Sequence, residues 1–113
     1  MDKFRTIINA LNGLKIAFAE ERNFRIHVVV TFVTSILGLH FQIEGLEWIA
    51  ILLCFALVLA FELMNTSIEN LCDVITEEHH PMIKRIKDIS AGAVLTAAMI
   101  SAIVGILIFY KYL

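Results

Sequence analysis

Three uninterrupted apolar runs constrain this chain more than any other feature. Residues 26–43 and 89–110 contain no Lys, Arg, Asp or Glu, and residues 46–61 contain only Glu47, near the start of the run. Crossing the hydrocarbon core of a bilayer takes roughly 17–25 apolar residues. The run 89–110 meets that requirement outright, and 46–61 meets it when it extends past Glu62 to Met64. The run 26–43 is shorter and has His27 and His40 near its ends. Hydrophobic residues make up 59% of the 113, more than a soluble domain of this size can bury. The expectation is an all-α integral membrane protein, one domain over 1–113, with spans at about 26–43, 46–64 and 89–110.

Residues 2–22 read differently. Phe4, Ile7, Ile8, Leu11, Leu14 and Phe18 recur at helical spacing, while Asp2, Lys3, Arg5, Asn9 and Asn12 fall largely on the other side. In a membrane protein such an amphipathic helix lies flat at the headgroup level. No secretory signal is expected, because no apolar stretch precedes a small-residue cleavage site. Eight of the nine basic residues precede the first span or lie between the second and third, and Lys111 stands apart. That asymmetry predicts a cytoplasmic N-terminus and a cytoplasmic loop 76–87, with the loop 42–47 and the C-terminus outside. Trp48, Tyr110 and Tyr112 then fall at the outer interface, where aromatic anchors belong. Pro81 marks the break between the second and third helices. Ala93, Ala97, Ser101 and Gly105 set small residues four apart on the third span, a pattern that lets helices approach closely in lipid. Three spans make a thin bundle, so self-association is expected.

Polar chemistry gathers where the second span ends. Glu62, Asn65, Glu69 and Asp73 are spaced by three, four and four, which places them on one helical face. A charge inside the bilayer costs ~2.5–3.5 kcal/mol on insertion scales, and an intramembrane acid is a functional-site hypothesis by default. An acidic stripe here asks for a cation, and hard divalent ions such as Mg²⁺ take carboxylate oxygens while keeping waters for phosphate. Glu20 and Glu21 put a second acidic group near the same membrane face, although a solvated helix end explains them equally well. Lys84, Arg85 and Lys87 serve either as phosphate contacts or simply as the orientation signal. His79 and His80 alone do not make a metal site. Cys54 and Cys72 lack motif spacing and read as reduced packing residues. The five glycines are scattered, so no glycine-rich phosphate loop exists. No nucleic-acid partner is expected.

The stretch from Glu62 to Glu69, followed by Asp73, Lys87-Asp88 and the segment 91–95, resembles the small bacterial diacylglycerol kinase family, and so does the segment 21–25 before the first span. The resemblance covers nearly the whole chain. The loop running from Asp73 to Pro81, with His79-His80-Pro81, is similar to the branch from Gram-positive bacteria that phosphorylates undecaprenol. The resemblance implies a homotrimer in the bacterial plasma membrane, with active sites shared between protomers at the cytoplasmic interface. It implies ATP as phosphoryl donor and Mg²⁺ as cofactor. Glu62 matches the general base that takes the lipid hydroxyl proton, and Glu21 and Glu69 match the metal ligands. Lys87 and Asp88 match phosphate and nucleotide contacts, and Glu78, His79 and His80 match the loop over the nucleotide. Glu62, Asn65 and Trp48 are expected to meet the lipid. The diacylglycerol branch often has an aromatic residue where this loop reads Glu78-His79-His80, so the nucleotide contacts transfer least well there.

Diacylglycerol is the alternative substrate. A reading from another class is a small transporter or channel subunit that uses Glu62 as an intramembrane proton or cation site. Transporters want polar residues near the bilayer midplane. Here the acids cluster at one end, which favours the enzyme.

Overall fold

The computed structural model describes residues 2–113. The described residues form four α-helices and a terminal 3-10 turn: α1 Lys3–Glu20, α2 Arg22–Phe41, α3 Gly45–Ile75, α4 Pro81–Phe109, and the turn Tyr110–Tyr112. Helices α2, α3 and α4 are long and apolar enough to cross a membrane. Most of their large apolar side chains point outward, including Phe32, Leu39, Leu53 and Leu107. Such surface is stable only against lipid or another chain. The most extensive packing is between α3 and α4, and α2 lies mainly on α3.

Each helix boundary has a local cause. The Asp2 carboxylate accepts from the Phe4 N–H at 3.2 Å and starts α1. Glu21 breaks the chain into an extended conformation, φ −108° and ψ 109°, between α1 and α2. The Arg25 guanidinium then donates to the carbonyls of Phe18, at 2.9 Å, and Ala19, at 3.0 Å. Those are orphan acceptors at the C-terminus of α1, so Arg25 fixes the corner. Helix α2 ends at Gln42 in the left-handed region, φ 53°, with the Ile43 N–H reaching back to the Gly38 carbonyl at 3.2 Å. Glu44 and Glu47 form a reciprocal capping box that starts α3. His80 caps α4, its Nδ1 accepting from the Met82 N–H at 3.1 Å, and Pro81 takes the first helical position.

One expectation changes here, and two features are sharpened. Lys84, Arg85 and Lys87 are not in a loop. They occupy the first turns of α4, because Pro81 opens that helix rather than interrupting the chain, and the connection shrinks to 76–80. Helix α3 runs on to Ile75, well past the apolar run, in keeping with the helical spacing of Glu62, Asn65, Glu69 and Asp73. The stripe of small residues on α4 does not form a close helix contact within this chain. Of its members only Ala97 is buried, and a Cβ added at Gly105 would meet nothing within 4 Å.

The apolar core is small and sits at the end opposite the acids. Ile43, Ile51 and Ile108 are buried there, covered by Phe41, Trp48, Phe55, Phe109 and Tyr112. The Tyr112 hydroxyl donates to Glu47 at 2.6 Å, and Lys111 pairs with the same carboxylate at 2.8 Å. Lys111 is therefore clasped to the start of α3 rather than standing alone. Trp48 lies over Gly38 so closely that a Cβ there would fall 2.8 Å from the ring. Gly38→Ala is accordingly expected to destabilise the protein by ~1–3 kcal/mol, the usual cost of overpacking. Thermal unfolding in detergent checks it, and an unchanged midpoint would refute the tight packing.

Candidate active site

The buried face of α3 changes character along its length. Ile51 and Val58 are apolar, then Glu62 and Asn65 are polar yet only 3% and 8% exposed. Helical spacing of seven, four and three keeps all four on the inward side. An ionised carboxylate this deep is costly unless it is paired. The partner it meets comes from α2: His27 Nε2 stands 3.8 Å from Glu62 Oε2. The sequence reading missed that contact. Its available signal was an ionisable residue at the edge of an apolar run.

One turn further along α3, Asn65 Nδ2 donates to Glu69 Oε1 at 3.1 Å. The Asn65 Oδ1 is buried with no hydrogen-bond partner among the described residues. Such an atom carries a desolvation penalty until something donates to it or coordinates it. Glu21 and Glu69 are both half-buried and both lie within electrostatic range of Glu62. Glu21 reaches this region because the α1–α2 corner falls on it. Among the described residues its side chain makes no cap hydrogen bond for α2, which leaves the carboxylate available.

The donor chemistry suits Mg²⁺. Among the described residues no three His, Cys, Asp or Glu side chains converge as a closed metal site. Two carboxylates and an unpartnered amide oxygen are hard donors, however. Mg²⁺ is commonly held by one or two carboxylates, with water and phosphate oxygens completing the shell. The residues fit an ion that arrives with a nucleotide.

Beyond Glu69, a cavity of about 390 Å³ opens between the ends of α3 and α4, lined by Asp73, residues 76–80, Ile83, Lys84 and Lys87. It brings together Glu78, His79, His80 and Lys87. Lys87 Nζ is 2.7 Å from Asp73 Oδ1, an ion pair that crosses from α4 to α3. A phosphate would have to displace Asp73 to gain that lysine. Asp88 is occupied on its own helix by Lys84 at 2.6 Å and is not among the cavity-lining residues. Trp48 is not brought near Glu62. It sits near the start of α3, about 21 Å away along the axis at ~1.5 Å per residue, against Gly38. Cys54 is half-buried and Cys72 buried, and both are free.

The family model for prokaryotic diacylglycerol kinase matches residues 8–109, nearly the whole chain. The chain belongs to the prokaryotic diacylglycerol kinase family. It is 39% identical over 106 residues to an undecaprenol kinase of Bacillus subtilis, a match covering 94% of this chain and 86% of that relative. It is 38% identical over 96 residues to a diacylglycerol kinase of Synechocystis, covering 82% of this chain and 54% of the relative. A diacylglycerol kinase of Escherichia coli K12 is 25% identical over 100 residues, covering 88% and 82%. This family member is a multi-pass membrane lipid kinase with ATP as phosphoryl donor, and the transporter reading is set aside.

Proposed function

We propose that this kinase transfers the γ-phosphoryl group of ATP to undecaprenol, giving undecaprenyl phosphate at the cytoplasmic face of a bacterial membrane. The observation that carries the reading is the order of groups along α3. A buried carboxylate, Glu62, stands where the apolar part of the helix ends. Asn65 and Glu69 follow one and two turns on, and the polar cavity under residues 76–80 lies beyond them. A lipid hydroxyl held at the interface meets Glu62 from the membrane side, and a nucleotide meets Glu69 and Lys87 from the water side.

Glu62 takes the hydroxyl proton while the alcohol oxygen forms a bond to the γ-phosphorus. The bond from that phosphorus to the β–γ bridging oxygen breaks, and ADP leaves with the electron pair. Lys87, exchanging Asp73 for phosphate, holds negative charge in place. Glu78, His79 and His80 close over the nucleotide, and Asp88 acts through Lys84, which it holds and which lines the cavity. Glu21 and Glu69 would hold Mg²⁺, which supplies charge neutralisation at the phosphates when bound. In the same proposal α1 lies flat on the membrane, its exposed Phe4, Ile7, Leu11 and Leu14 sunk among the headgroups. Three copies assemble to cover the remaining apolar faces.

Undecaprenol is favoured over diacylglycerol for a physical reason as well as by the Bacillus subtilis relative. A prenyl alcohol needs only a hydroxyl pocket and an apolar groove. Diacylglycerol brings two ester carbonyls, each of which needs a donor of its own. An unpaired polar group in a dry site costs ~1–3 kcal/mol. Undecaprenol is therefore expected to be phosphorylated at least ~10-fold more efficiently at equal mole fraction in mixed micelles. Sealed inverted vesicles are expected to make the product from added ATP, and right-side-out vesicles are not. Equal or better use of diacylglycerol would refute the lipid assignment, and the reverse vesicle pattern would refute the orientation.

A further inference from the structure

We propose that His27 is the positioning residue for the Glu62 carboxylate, holding one of its oxygens so that the other faces the lipid hydroxyl; this rests on the reading of Glu62 as the base. The two side chains come from different helices, α2 and α3, and nothing in the sequence spacing obliges them to meet. They do meet, with His27 Nε2 at 3.8 Å from Glu62 Oε2, and the Glu62 side chain only 4% exposed. The other titratable groups that act on Glu62 are Glu21 and Glu69, both acids. His27 is thus the one neighbour in this set that can donate a proton in a hydrogen bond.

His27 also stands at a boundary. Its side chain is 23% exposed, and it helps to line a cavity of about 370 Å³ between α2, α3 and α4. The other walls of that cavity are mainly apolar, with Thr31, Thr34 and Ser101 supplying the hydroxyls. Glu62 does not line it. His27 thus touches both the cavity and the Glu62 carboxylate. The His27 backbone is held in place on α2, its carbonyl accepting from Thr31.

A carboxylate acting as a base must present a free oxygen at a defined angle. A buried Glu with three rotatable bonds does not hold that angle unaided, and a donor on Oε2 removes the freedom. The present separation is longer than a hydrogen bond. Catalytic contacts often lengthen in the absence of substrate and tighten in the complex. Shortening this one by about 1 Å makes it a hydrogen bond.

The test uses the full-length kinase in mixed micelles with Mg-ATP and undecaprenol or diacylglycerol. His27→Phe keeps a ring and removes the donor, whereas His27→Gln keeps an N–H donor of similar reach. His27→Phe is expected to lower kcat by ~10–100-fold, the range for losing a group that orients a catalytic one, with the KM for ATP changed by less than about two-fold. His27→Gln is expected to recover most of that loss. In a Glu62→Gln background, His27→Phe is expected to cause no further fall, because the histidine acts only through the glutamate.

A fully active His27→Phe protein would overturn the proposal. So would a His27→Gln variant as impaired as the phenylalanine one, a rise in KM alone, or losses that multiply in the double variant. If His27→Phe fails to extract as a folded protein, His27→Asn, too short to reach Glu62, is held to the same criteria. Failure of the wild-type protein to phosphorylate either lipid would instead refute the proposed function itself.

Discussion

Glu62→Gln is expected to lower turnover by ~10²–10⁴-fold, the usual worth of a general base. The substitution keeps shape and hydrogen-bonding reach, so it isolates the proton acceptor. It also removes a charge from a position that is only 3% exposed. Burying a neutral amide costs less than burying a carboxylate, so assembly and thermal stability are expected to be at least as good as in the parent. Mg-ATP binding is expected to survive, because the proposed metal ligands are elsewhere. Lipid phosphorylation and nucleotide binding measured on the same preparation check both halves. Near-normal turnover by a folded Glu62→Gln protein would end the assignment of Glu62 as the base.

Loss of a proposed metal ligand is expected to have the next largest effect. Glu69→Ala removes a carboxylate and also strips Asn65 Nδ2 of its acceptor. Glu21→Ala removes a carboxylate that caps nothing in its own helix. Each variant is expected to need at least ~10–100-fold more Mg²⁺ for half-maximal rate, since even outer contacts of a metal site are worth that much. Excess Mg²⁺ is expected to restore part of the rate while one ligand remains. Glu21→Ala is the cleaner test, because it leaves Asn65 untouched. A variant with an unchanged Mg²⁺ titration did not lose a ligand.

The parts of the molecule legible in the sequence were those that depend on position along one helix. The three apolar runs each became a helix, and the spacing of Glu62, Asn65 and Glu69 placed them on one face. What depends on rotation of one helix against another was not legible. The contact of His27 with Glu62, and the clasp of Lys111 and Tyr112 on Glu47, bring together residues from different elements. A hydropathy reading also ends a span where charges begin. Lys84 and Lys87, expected in a loop, are nonetheless helical, because an α-helix closes its own hydrogen bonds in water as in lipid. The family resemblance supplied residue roles that spacing alone left open. Trp48, expected to meet the lipid, packs on Gly38 far from Glu62.

Helix α3 is 31 residues long and holds neither Gly nor Pro between Leu46 and Ile75. Sharp bends in helices arise almost always at such residues or at local breaks in the ladder. At about 1.5 Å per residue the helix is about 46 Å long, against roughly 30 Å of hydrocarbon. It therefore behaves as a stiff post, graduated by depth. The heights of Glu62, Glu69 and Asp73 above the bilayer centre are fixed relative to one another by the helical rise. No kink within this post can bring the proposed base closer to the nucleotide end of the helix. Under the proposed function, the alcohol drifts in the plane of the membrane until its oxygen is level with one mark, while the nucleotide settles on a higher one. Near the acids, the chain leaves helical geometry at the Glu21 corner and at the turn 76–80, and these are the places where closure over bound substrates is expected.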